Sequence, residues 1–243
     1  MQALIDLSMS KYEMKENIVH FIDDEEENAR LNDLKNYPHL FVLSCLMDRQ
    51  IKAERAWSSP GRVAQEIGSY RLEDMAKVSL EEYKNIFNKL KLHRFNDVQS
   101  GCFYNGVQKI MKDYQGNAAN IWNNEPSSAT VVRRFLEFDG AGIKIATMAT
   151  NILARQYKIK LSDFYSIDIS PDVHVKRIFY RTGLIDKKDK DNIDMIIYKA
   201  REIYPQFPGL IDFACWEIGR NWCTERKALC SECPLNEHCK KNI

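Results

Sequence analysis

The chain has 243 residues, 44% of them hydrophobic and 28% charged, and its 35 Lys and Arg nearly balance 34 Asp and Glu to a net charge of +1. That balance excludes a polycation that would hold nucleic acid by bulk charge, and the apolar content excludes a disordered acidic protein. The charge is unevenly spread. Residues 1–37 hold 4 basic and 9 acidic side chains, a net of −5, which leaves residues 38–243 with 31 basic and 25 acidic, a net of +6.

At about 150 residues per domain, this length suggests one or two domains. The first residues carry neither a basic run nor a continuous apolar stretch of the secretory kind. The longest apolar stretch, Leu40 to Met47, is far short of the roughly 20 residues that cross a bilayer. The expectation is an intracellular protein, of the cytoplasm and nucleoid or of the nucleus, with no membrane partner.

Pro and Gly are scarce, at 7 and 10, and the apolar spacing is mostly helical, which predicts an all-α chain. A first helix is predicted over Lys11 to His20. The acidic run Asp23 to Glu27 reads as a solvated face or a helix start. Tyr37-Pro38 then punctuates the chain before an apolar helix bearing Leu40, Phe41, Leu43, Leu46 and Met47. Ser79 to Leu92 opens on Ser-Leu-Glu-Glu, an N-cap followed by first-turn acids. A further helix is predicted from Gly101 to Tyr114, ended by Gln115-Gly116-Asn117.

Asn123 to Pro126 reads as a loop and Ser128 to Phe138 as a short amphipathic helix. The break Asp139-Gly140-Ala141-Gly142 leads into another helix, with Ile143, Ile145, Met148, Ile152 and Leu153. Ser170-Pro171-Asp172 starts a helix that stops at Gly183. No internal repeat and no low-complexity tract is present.

Seven cysteines are an odd number, so a fully paired disulfide framework is impossible. Cys45, Cys102 and Cys215 lie in apolar segments and read as small buried hydrophobes. The other four, Cys223, Cys230, Cys233 and Cys239, form C-x6-C-x2-C-x5-C. Four thiolates this close in sequence can converge on one metal centre. Zinc suits four sulfurs in a tetrahedron, though zinc loops usually offer two short C-x-x-C knuckles. A 4Fe-4S cluster presents four separate corners and tolerates unequal spacers, so it is favoured over zinc.

This spacing, at the end of an all-α chain, resembles the iron–sulfur loop of the endonuclease III-like DNA glycosylases. Gly219-Arg220-Asn221-Trp222-Cys223 is similar to that family's approach to the loop. The resemblance implies that the cluster holds a short basic loop against the DNA backbone, with Arg226 and Lys227 at the matching positions. Phe138 to Ala146 resembles the helix-hairpin-helix of the same superfamily. Gly140 and Gly142 there permit close backbone approach, and the N–H groups from Ile143 onward can meet a phosphate. Asp139 stands where proline is usual and Ala141 replaces a larger apolar residue.

Lys144 occupies the position of the lysine that makes family members bifunctional. Attack on the sugar C1′ needs a neutral amine, and a first-turn position at the positive end of a helix disfavours the ammonium. The alternative is a charged lysine on a phosphate. Asp172, in Ser170-Pro171-Asp172-Val173-His174, is similar to the family's aspartate at a helix start. The resemblance makes it the carboxylate that stabilises the cationic sugar; as an N-cap alone it would still serve the helix. His174 and Arg177 would then contact the DNA backbone or brace the site. Gln50, after the first apolar helix, matches the polar wedge that fills the gap left by a flipped nucleotide.

The resemblance implies two helical domains flanking a DNA-binding cleft: residues 31–156 as a six-helix domain with the hairpin, and residues 1–30 with 157–243 as the iron–sulfur domain. It implies a monomeric DNA glycosylase with AP-lyase activity, acting on double-stranded DNA that contains a damaged or mismatched base or an abasic site. A monofunctional glycosylase and a non-catalytic iron–sulfur DNA-binding protein are the alternatives.

Overall fold

The all-α expectation holds. The computed structural model describes residues 1–13 and 18–243, and among these there is no strand, only an isolated antiparallel bridge between Cys223 and Ala228. In chain order the α-helices are α1 (Gln2–Glu13), α2 (Glu25–Asn32), α3 (Pro38–Met47), α4 (Ala53–Ile67), α5 (Leu72–Met75), α6 (Leu80–Leu90), α7 (Asn96–Asp113), α8 (Ser128–Leu136), α9 (Ile143–Arg155), α10 (Val173–Thr182), α11 (Ile193–Ile203) and α12 (Asp212–Asn221). None of the described helices is long and apolar enough to cross a membrane.

The chain divides into two compact units. A terminal unit comprises Met1–Glu16, Ser127–Ala129 and Thr150–Ile243, and a central unit comprises Asn17–Pro126 and Thr130–Ala149. The first helix begins earlier than its sequence suggests, at Gln2, and residues 14–17 of the predicted span lie outside the described residues. Residues 18–20 are not helical. Side chains compete for their backbone: Asn32 Oδ1 accepts from Val19 N at 2.7 Å, and Asn28 Nδ2 donates to Val19 O at 3.0 Å. The acidic run does start a helix, because Asp24 caps α2 by accepting from Glu27 N at 3.0 Å.

All ten residues of α3 are buried, with Pro38 at its first position, where no N–H is needed. It packs against α4 and α7, and α6 packs against α7. Phe41, Tyr83, Phe87 and Phe103 are wholly shielded from water and form the aromatic centre of this unit. Trp57 and Trp122 belong to that core: Trp57 stacks on Phe21 with centroids 3.9 Å apart, and Trp122 meets Phe41 edge-on. Ser79 and Glu82 form a reciprocal capping box at the start of α6. In the terminal unit, Leu4, Val175, Ile178, Phe179, Ile196, Ala214 and Ile218 share one core drawn from α1, α10, α11 and α12.

Two substitutions check these assignments by urea unfolding. Phe41→Ala should cost about 3–5 kcal/mol, the range for emptying a large buried aromatic site. Ser79→Ala should cost about 1 kcal/mol, the usual loss for an N-cap.

Candidate functional site

In the central unit the end of α3 leads directly to an exposed turn. Asp48 closes the helix by donating its N–H to Cys45 O at 3.2 Å, and Gln50 follows, exposed, with a left-handed backbone at φ +57°. The turn 139–142 joins α8 to α9. Gly140 has φ +83°, and a Cβ there would press on Cys102 Sγ at 2.9 Å, so glycine is required on two counts. Apart from its chain neighbours, no described residue comes within 4 Å of where a Cβ on Gly142 would sit. The backbone around Gly142 is therefore open to an incoming group.

The Asp139 carboxylate accepts from Asn105 Nδ2 on α7 at 2.7 Å. It is thus tied sideways to a neighbouring helix, an arrangement that sequence spacing 34 residues apart could not reveal. The Cys102 thiol is raised by burial and feels both Asp139 and Arg49, so the Gln50 turn and the hairpin turn flank the same part of α7. Ile143 and Lys144 are exposed in the first turn of α9. Free N–H groups and the helix dipole make that turn electropositive.

In the terminal unit Asp172 is the N-cap of α10. Its Oδ1 accepts from His174 N and Val175 N, both at 2.8 Å. Both bonds fall on one oxygen, so Oδ2 takes no part in the cap. His174 and Arg177 are both held by bonds within the chain. Arg177 donates through Nε to Cys223 O at 2.6 Å and through Nη2 to Gly219 O at 2.8 Å, and Nη2 lies 2.9 Å from His174 Nδ1. Gly219 permits this, since a Cβ there would meet His174 Nδ1 at 2.7 Å.

The four C-terminal cysteines are gathered at one place. Burial raises the Cys233 thiol, and the charges it feels in addition are those of Cys223, Cys239 and Cys230. Arg181, one turn beyond Arg177, donates from Nη1 to Cys223 Sγ at 3.3 Å, and its carbonyl accepts from Cys239 Sγ at 3.3 Å. Soft sulfur donors with an arginine beside them suit an iron–sulfur group or zinc. As the side chains are placed, no three His, Cys, Asp or Glu among the described residues close on a point for a single metal ion. Between the first two cysteines, Thr224 Oγ1 donates to Lys227 O at 2.8 Å and accepts from Lys227 N at 3.1 Å. This turn presents Arg226 and Lys227 to solvent. Arg181 and Asn105 were not identifiable as site residues from the sequence; only the i,i+4 spacing of Arg177 and Arg181 hints at a shared face.

Solved structures with the same arrangement of helices settle the fold. A trapped endonuclease III–DNA covalent intermediate superposes over 99% of this chain and 93% of its own, at a TM-score of 0.63 and 15% identity. The chain has the endonuclease III fold. A thermostable thymine-DNA glycosylase matches over 99% of this chain and 95% of its own, at a TM-score of 0.63 and 12% identity. The Clostridium acetobutylicum 8-oxoguanine glycosylase/lyase, in complex with DNA, matches over 90% of this chain and 69% of its own, at 0.57 and 11%. In sequence, the chain is 28% identical over 190 residues to "Putative DNA repair glycosylase MJ1434" of Methanocaldococcus jannaschii, which spans 73% of this chain and 77% of that protein. No family model matches the chain.

The cap role of Asp172 can be separated from any chemical role. Asp172→Ala should lower stability by about 1 kcal/mol in urea unfolding, whereas Asp172→Asn, itself a good cap, should stay within a few tenths.

Proposed function

We propose that the protein is a DNA glycosylase of base excision repair with AP-lyase activity, acting as a monomer on double-stranded DNA that carries a damaged or mismatched base or an abasic site. What supports this reading is that one chain with an endonuclease III fold carries both a lysine exposed in the first turn after a Gly-x-Gly hairpin and a carboxylate held at a helix start.

The chemistry follows from these groups. Gln50 fills the space left by an extruded nucleotide, offsetting part of the lost stacking. The N–H groups from Gly142 to Lys144 hold a backbone phosphate. As the glycosidic C1′–N bond breaks, its electron pair leaves with the base, and Asp172 stabilises the positive charge that develops on the sugar. The neutral Lys144 amine forms a bond to C1′; opening of the sugar ring, with a proton delivered to O4′, gives an iminium. Loss of a C2′ proton then expels the 3′ phosphate and cleaves the strand. Asp172 assists these proton transfers. Asp139 is compatible with the phosphate contact because Asn105 holds it to the side.

The reading extends to a 4Fe-4S cluster on Cys223, Cys230, Cys233 and Cys239, with zinc the less favoured occupant because the spacers are unequal. Such a group, when bound, cross-links the four cysteines and so fixes the Arg226–Lys227 turn as a second phosphate contact. Arg177 and His174 hold α10 to the approach of that loop.

Borohydride trapping on an oligonucleotide with a single abasic site tests the central claim. Wild type should yield a covalent adduct and Lys144→Ala should yield none. Release of bases without any adduct would instead establish a monofunctional glycosylase, and absence of both would leave a DNA-binding protein. Asp172→Asn should slow base release by about 10²–10³-fold, the scale for losing one pre-organised electrostatic contact. Purified protein should be yellow-brown with stoichiometric iron; colourless zinc-loaded protein would overturn the cluster. Replacing both Arg226 and Lys227 with Ala should weaken DNA binding and flatten its log–log salt dependence by about 2.

A further inference from the structure

The reaction scheme above makes no use of a buried arginine, Arg155, that feels the charge of half-buried Asp212. Arg155, the last residue of α9, is only 8% exposed, and its guanidinium lies over the Phe213 ring at 4.3 Å from the centroid. Burial draws this guanidinium down to about 10, and the charge it feels in opposition is that of Asp212. Its Nε has no hydrogen-bond partner among the described residues. The nearby Lys158 ammonium is lowered by burial and by repulsion from Arg155, so two cations share this region with Asp212. Asp212 itself is half-buried, and the buried guanidinium beside it favours one placement of its carboxylate.

Asp212 in turn holds the segment that delivers Asp172. Its Oδ2 accepts from Ser170 N at 3.1 Å, and Ser170 O accepts from Asp172 N at 2.7 Å. Between them stands Pro171, which has no N–H to anchor and a fixed φ. Ser170 is therefore the last upstream residue whose backbone donor can fix the position of Asp172. Earlier residues of the segment are also pinned: Gly209 N donates to Ile167 O at 2.7 Å, and Arg201 grips Asp168 with two bonds of 2.7 and 2.8 Å. Asp212 and Asp172 both act on the buried Cys215 thiol, which places the two carboxylates around one side chain.

We propose that Arg155 and Asp212 are positioning residues for Asp172: Arg155 orients the Asp212 carboxylate, Asp212 fixes the Ser170 amide, and the stiff Ser170-Pro171 step sets where Asp172 presents the oxygen that lies outside the cap. This rests on the reading of Asp172 as the carboxylate that acts on the sugar. A misplacement of that oxygen weakens transition-state stabilisation without altering contacts to DNA phosphates, so the effect falls on the chemical step.

The test measures single-turnover base release with enzyme in excess. The substrate is whichever of four duplexes wild type processes fastest, carrying uracil, a thymine–guanine mismatch, 8-oxoguanine or thymine glycol. Affinity is measured separately on a duplex with a tetrahydrofuran abasic analogue. Arg155→Met and Asp212→Asn should each slow release at least tenfold while affinity stays within twofold of wild type. Arg155→Lys, which keeps the charge, should recover most of the rate. Adding Asp212→Asn to Asp172→Asn should slow release no further. Ile196→Ala, a core change in the same unit, should lower the melting temperature and leave the rate alone.

If Asp172→Asn is slowed as expected but folded Arg155→Met and Asp212→Asn run at the wild-type rate, the positioning proposal is wrong. It is equally overturned if their losses track melting temperature as for Ile196→Ala. Should Arg155→Met fail to fold, Arg155→Lys and Asp212→Asn decide the matter. Wild-type release by Asp172→Asn would instead overturn the role of Asp172 itself.

Discussion

A helix that excludes water on every side can exist only where its neighbours enclose it, and α3 is such a helix. Its burial dictates that α4 and α7 close around it. Gly106 on α7 is part of that closure, since a Cβ there would stand 2.9 Å from a Leu46 methyl. The position of the exposed Asp48–Gln50 turn follows from where this enclosed helix ends. The same α7 carries Cys102 beneath Gly140 and Asn105 beside Asp139. A packing requirement in the interior thus fixes two surface turns.

In the terminal unit the constraints are ionic and hydrogen-bonded. Arg177 and Arg181 sit one turn apart on α10 and direct their donors at backbone carbonyls and a cysteine sulfur. Guanidinium forks are suited to this, because several donors in one plane can satisfy carbonyls that a loop leaves unpaired. The helix capped by Asp172 is therefore fastened along one face to the loop that bears the cysteines. The cap bonds of Asp172 both fall on Oδ1, so the helix is capped without engaging its second carboxylate oxygen.

The helical class, the breaks at Pro38, Gly140 and Gly183, and the caps at Ser79 and Asp172 were legible because each rests on a local signal: an apolar period, a capping side chain or a left-handed residue. What was hidden was nonlocal or misleading. Ser58-Ser59-Pro60-Gly61 has the composition of a turn, yet Pro60 lies inside α4. Side chains bond carbonyls on either side of the one Pro60 cannot reach, Ser59 donating to Arg55 O at 2.7 Å and Ser44 to Trp57 O at 3.2 Å. The C-terminal end of the predicted first helix was obscured for the opposite reason, since Asn28 and Asn32, on a helix further along, take up backbone groups of Val19 and Phe21. Asn105, Arg181 and the Arg155–Asp212 pair act across tens of residues of sequence, and no spacing rule in a single chain exposes them.

The seven cysteines fall into two chemical populations. Cys45 and Cys215 are wholly enclosed, and burial lifts both thiols well above their ordinary range; Cys102, beneath the hairpin, is raised in the same sense. A thiol reacts as its thiolate, so these three are doubly protected, by access and by protonation. The partly open quartet from Cys223 to Cys239 is the fraction that a thiol-directed reagent meets in the folded molecule. Alkylation of the native protein therefore reports on the state of the C-terminal loop alone, and an oxidant would register there before the cores of either unit were touched.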